Sequence, residues 1–174
     1  MYGLSKSALV IIDVQNAMFD EGVYNGEQLL EELQMLIVTA RESSVPIFYV
    51  QHNEAPGESL ENGSVGWEIR QEITPKGQDV VIQKTTPDAF YRTNFLDELM
   101  RYEVEHLLVT GIQTEVCVDT TMRSAFNHGY KVSLVSDAHS TFDNEILTAD
   151  KIIAHHNQTL RFFGKVIKRN ECTF

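Results

Sequence analysis

The chain has 174 residues, 43% of them hydrophobic, and a formal net charge of −11. That length suits one domain over residues 1–174, with a proper core that needs no staples. The acidic balance speaks against a nucleic-acid partner, which demands a basic face, and no apolar stretch nears the roughly 20 residues that cross a bilayer. Met1 to Ser7 is polar and leads straight into a strand-like run, so no targeting segment and no membrane partner are expected. Cys117 and Cys172 lack metal-ligand or redox-pair spacing, which fits a reducing, cytoplasmic setting.

Ser7 to Val14 is a near-continuous apolar run, as in a strand buried on both faces, with Asp13 intruding near its end. A carboxylate there is costly unless it is paired or sits at a cleft; a cap or turn role is the plainer reading. Gln15, Asn16 and Phe19 follow in a loop able to line a pocket. Glu27 to Glu42 reads as an amphipathic helix. Ile47 to Val50 is a second strand, ending in Gln51-His52-Asn53. From Glu54 to Gln78 the chain is polar, with an isolated Trp67; this is either a lid or a surface excursion pinned by the indole. Asp79 to Lys84 is a third strand, followed by a helix from about Asn94 to Tyr102. Val104 to Thr110 is the fourth, broken at Gly111 and followed by a helix as far as Gly129. Thr114 reads as an N-cap, placing Cys117 in the first turn, where helix-start electrostatics favour a thiolate. Packing of an unpaired cysteine onto the sheet is the competing reading. Lys131 to Val135 is the fifth strand, leading into Ser136-Asp137-Ala138-His139. A helix over about Thr148 to Phe163 and a short strand, Lys165 to Ile167, close the chain.

Strands and helices alternate throughout, which predicts an α/β sandwich around a parallel sheet. Right-handed crossovers put the carboxyl ends of the strands along one edge. Asp13, Lys84 and the turn before Cys117 all occupy such ends. Alone, Lys84 reads as a snorkelling surface lysine. Together the three suggest a cation that stabilises a thiolate and a carboxylate that moves its proton. A dyad of Cys117 with His52 or His139 stays open on the same grounds. His155 and His156 are adjacent in a helix and point in different directions, which makes them poor zinc ligands as a pair.

Ile11-Ile12-Asp13-Val14-Gln15-Asn16, Lys84 in its strand–Lys–Thr setting, and Gly111-Ile112-Gln113-Thr114-Glu115-Val116-Cys117-Val118 resemble the three signatures of the isochorismatase-like cysteine hydrolases. Gly66-Trp67-Glu68, Asp88-Ala89-Phe90 and Asp137-Ala138-His139-Ser140-Thr141 resemble its streptothricin-hydrolase-like amidase branch. The resemblance implies a three-layer α/β sandwich with a six-stranded, mainly parallel sheet. It implies Asp13 as base and acid, Lys84 as electrostatic partner and Cys117 as nucleophile. It also implies a cis peptide between Ile112 and Gln113, with the N–H groups of Gln113 and Cys117 facing an oxyanion. The expected activity is hydrolysis of a small amide or other C–N substrate through a thioester.

Nicotinamidases of this superfamily bind a metal through Asp-x-His and a later histidine. Here that place reads Val50-Gln51-His52-Asn53, so no catalytic metal and no cofactor are expected. True isochorismatases hydrolyse a vinyl ether and can lack the cysteine; Cys117 favours acyl transfer. The alternatives are that vinyl-ether chemistry, a binding module without turnover, or a redox thiol protein pairing Cys117 with Cys172. Gln15, Phe19, Trp67 and Phe90 are the expected substrate-binding wall, since small-ligand sites are largely apolar. Trp67 sits on a loop long enough to reach a neighbouring subunit. The resemblance implies a homodimer or higher homo-oligomer acting on a small molecule.

Overall fold

Six apolar runs become six parallel strands: β1 (Ser7–Ile12), β2 (Ile47–His52), β3 (Val80–Lys84), β4 (His106–Ile112), β5 (Lys131–Ser140) and β6 (Lys165–Ile167). The computed structural model describes residues 6–174; of the polar N-terminal stretch, 1–5 lie outside the described residues. The strands form one sheet in the order β3-β2-β1-β4-β5-β6. All six residues of β1 are buried, which explains its lack of apolar–polar alternation: helices cover both faces of a parallel sheet.

The helices are α1 (Asn16–Asp20), α2 (Gly26–Glu42), α3 (Phe95–Arg101), α4 (Asp119–Asn127) and α5 (Ala149–Thr159). On one face Ala8, Val10 and Ile12 of β1 pack with Phe95 and Leu99 of α3 and Met122 and Ala125 of α4. On the other, Leu9 and Ile11 meet Leu29, Leu33, Leu36 and Ile37 of α2. The period-2 alternation of β1 thus feeds two separate cores, with the 3.6-residue stripe of α2 closing one of them. Among the described residues no helix is long and apolar enough to cross a membrane.

Two predicted boundaries shift. β5 runs on to Ser140 through the polar residues Ser136, Asp137 and His139, because Gly111 and Ile112 of β4 pair with His139 and Ser140 beyond a register shift. The helix expected from Thr114 opens instead as a π-type turn (Thr114–Val118) before α4. Thr114 does not cap it: its hydroxyl bonds His139 Nδ1 at 2.8 Å.

Candidate active site

The strand sequence reverses between β1 and β4, so the loops leaving those strands diverge and open a crevice at their carboxyl ends. Asp13 follows β1 in left-handed backbone (φ 50°), and its N–H donates to Val50 O at 2.9 Å. Gln113 follows β4 through a cis peptide from Ile112. His52 and Lys84 end β2 and β3 and are register partners. Four strand ends therefore supply one site.

Its centre is Lys84, only 2% exposed. Nζ lies 2.6 Å from Asp13 Oδ2, 2.8 Å from His52 Nδ1 and 3.3 Å from Cys117 Sγ. An ammonium carries three hydrogens, and three acceptors take them. His52 Nδ1 must then accept, which puts the ring proton on Nε2. Burial first, and Lys84 second, hold the His52 pKa below its ordinary value, so the ring is neutral. The other Asp13 oxygen, Oδ1, is buried with no hydrogen-bond partner. A carboxylate oxygen of Asp13, a ring nitrogen of His52 and Cys117 Sγ lie within 4.8 Å of one another.

The helix-start argument for an acidic thiol is overturned. Burial, then the Asp13 charge, push Cys117 up to about 12, and Lys84 offsets this only in part. The thiol sits where desolvation outweighs any helix field, and at neutral pH it keeps its proton.

A metal does not fit this donor set. Asp13, His52 and Cys117 are placed to converge on a cation, but the Lys84 ammonium already binds all three. At the Asp-x-His place, Gln51 Nε2 donates to Trp67 O at 2.9 Å, and Asn53 Oδ1 accepts the Trp67 indole N–H at 2.5 Å. Those polar atoms brace a loop.

The family described as the isochorismatase domain matches residues 7–167. The chain belongs to the isochorismatase family. It is 31% identical over 154 residues to Nicotinamidase 3 of Arabidopsis thaliana, covering 80% of this chain and 76% of that protein. To streptothricin hydrolase of Streptomyces noursei it is 33% identical over 138 residues, 78% of this chain but only 50% of that longer protein. The crystal structure of an isochorismatase family protein superposes at TM-score 0.88 and 34% identity, over 94% of this chain and 98% of that one.

In this isochorismatase-family hydrolase Asp13, Gln113 and Cys117 line a cleft of about 340 Å³, with Lys84 sealed beneath them. The four residues expected as its wall are elsewhere. Gln15 is fully buried; its amide donates to His52 O (3.0 Å) and Trp67 O (2.8 Å) and accepts His52 N–H (2.9 Å). It clamps β2 to the long loop. Phe19 lies under the Arg70 guanidinium, 4.8 Å from its ring centre. Trp67 anchors its loop through Asn53. Phe90 packs at 4.8 Å from Phe95 in the core, because Asp88 and Ala89 dock on Ser124 and Thr121 of α4.

The wall consists instead of Met18, Glu54, Leu60, Thr85, Pro87 and Val116, with His52 and Ile112. Thr85, Pro87 and Val116 flank Lys84 and Cys117 in sequence, and that adjacency was a usable signal. Met18, Glu54 and Leu60 carried none. His139 is no partner for Cys117: it is buried between Thr114 Oγ1 (2.8 Å) and Asn157 Oδ1 (3.0 Å), and burial pushes its pKa down to about 4. Glu115 Oε1 accepts Thr141 Oγ1–H at 2.8 Å, so the 139–141 segment braces the turn that carries Cys117. His155 and His156 lie edge to face on α5 and do not line the cleft.

Proposed function

We propose that this hydrolase cleaves small amides or related C–N bonds through a thioester on Cys117, with Asp13 as the proton carrier. The observation that carries this reading is the shared ammonium. Lys84 binds Asp13 and Cys117 at once, a carboxylate oxygen of Asp13 lies within 4.8 Å of the sulfur, and Asp13 Oδ1 is buried without a hydrogen-bond partner. Because the thiol is protonated at rest, Asp13 takes its proton as sulfur attacks the carbonyl, so no free thiolate accumulates. The oxyanion is held by the N–H groups of Gln113 and Cys117, contacts of a kind worth about 3 kcal/mol each. Asp13 returns the proton to the departing amine or ammonia, and then activates water against the thioester. Lys84 has no hydrogen left for substrate; it holds the carboxylate and sulfur in place and balances charge.

The relatives' names support the amide class, since a nicotinamidase acts on an amide. The redox alternative gains nothing: Cys172 packs with the α2-side core, whereas Cys117 belongs to the opposite one, and a disulfide needs Cα atoms within about 7 Å. A histidine dyad is disfavoured because the His52 Nδ1 lone pair is taken by Lys84.

The test is a panel of small amides, read by amine or ammonia release and by acyl adduct in intact mass. Cys117→Ala should abolish both signals. Asp13→Asn should keep the fold and lower turnover by about 10²- to 10⁴-fold. Turnover surviving in Cys117→Ala, or a mild Asp13→Asn beside a crippled His52→Asn, overturns the assignment.

A further inference from the structure

The charges around the cleft do not cancel. Asp13 is offset by Lys84, whose three hydrogens are all committed to protein acceptors. His52 is neutral. Neither an arginine nor a second lysine is among the residues lining the cleft. What remains is the carboxylate of Glu54. It is held rather than mobile: Glu54 N–H donates to Leu60 O (3.0 Å), and Oε2 accepts Leu60 N–H (2.9 Å) with a longer contact from Ser59 Oγ (3.4 Å). These bonds clip 54–60 into a closed rim segment. They leave Oε1 without a partner among the described residues.

Met18, Leu60, Pro87 and Val116 give the surrounding wall an apolar surface, against which a single charge acts more strongly than in open water. A ligand carboxylate entering here would lose hydration and find no free cation. A ligand ammonium would find the Glu54 carboxylate among the lining residues, held in place by Leu60 and able to accept a charge-assisted hydrogen bond. The chain's net charge of −11 adds a long-range field of the same sign.

We infer that Glu54 makes the cleft selective for small substrates that carry a positive charge beside the scissile bond, and against anionic ones. The amide part of this inference rests on the function proposed above; the charge preference does not.

The experiment reads the two separately. In a Cys172→Ser background, Cys117 is labelled with methanethiosulfonates of equal size bearing an ammonium, no charge or a sulfonate. Rates are followed by intact mass, divided by those of a small free thiol, and expressed relative to the neutral reagent, which cancels changes in thiol reactivity. The cationic reagent should outpace the anionic one by roughly tenfold. Glu54→Gln should shrink that ratio severalfold and Glu54→Asp should keep most of it. A ratio near one, or one unmoved by Glu54→Gln, overturns the inference. Amides matched in shape and differing in charge are then compared. Turnover indifferent to charge also overturns it, while leaving the hydrolase reading intact. No turnover of any amide, with the labelling ratio preserved, removes the amide reading and supports the charge preference.

Discussion

Lys84 shows how much one residue's meaning depends on its neighbours. In sequence it ends an apolar run like many surface lysines; in the fold it is the buried cation on which Asp13, His52 and Cys117 converge. Asp13 and Lys84 offset each other, so the sulfur meets a desolvated, nearly neutral setting that favours the thiol. This yields a prediction with opposite signs in two assays. Asp13→Asn removes the negative charge that raises the Cys117 pKa, so alkylation by iodoacetamide should shift to lower pH. Under the proposed mechanism, amide turnover should fall in the same variant, because Asp13 is its proton carrier. The pH–rate curve of labelling in a Cys172→Ser background measures the first effect. A midpoint that stays put or rises would show that the carboxylate does not face the sulfur.

The strands were legible because burial on both faces writes a continuous apolar run, and α2 because its leucines recur with helical period. The end of β4 was less so. Gly111 has φ 116° and pairs with Ile12 beside the register shift; a Cβ there would lie 2.1 Å from Ile12 O and 2.6 Å from Ile12 N. Both atoms are backbone, so neither strand can yield without breaking the pairing that places Asp13 and Gln113 across the crevice. Gly111→Ala should therefore cost roughly 3 kcal/mol or more. Gly129 also has positive φ (88°) but open space around it, so Gly129→Ala should cost only about 1–2 kcal/mol. Urea unfolding of the two variants decides this, and equal losses would mean that the close approach to β1 carries no weight. The polar half of β5 was missed for a related reason: its strand state comes from pairing with Gly111 and Ile112, not from its own apolar pattern.

For the molecule as a whole, acid should act through buried histidines. His139 titrates near 6.5 in the unfolded chain and near 4 when folded, because burial penalises its charged form. Between those values the unfolded chain binds more protons, so stability is full above about pH 6.5 and is lost as pH falls towards 4. The loss from this ring approaches about 3 kcal/mol. The lowered pKa of His52 works in the same direction. Urea midpoints at pH 7 and pH 4.5 should diverge in the native chain and much less in His139→Asn. Should the substitution leave the pH dependence unchanged, the source lies elsewhere. Because His139 supports Thr114, and Thr141 supports Glu115, the same acid step would loosen the turn bearing Cys117.

Sequence alone determined the alternating architecture and the delivery of Asp13, Lys84 and Cys117 to one edge, since burial periodicity and parallel-sheet handedness are local rules with global consequences. Tertiary structure alone decided the third partner of Lys84, the protonated state of the thiol and the identity of the cleft wall. Met18 sits on the five-residue α1 and Glu54 and Leu60 on the long loop, segments with too little period to read, and only long-range bonds such as those of Gln15 to His52 and Trp67 set where they lie. Desolvation is likewise a property of everything packed around a group, so no neighbouring residue in the chain could announce it.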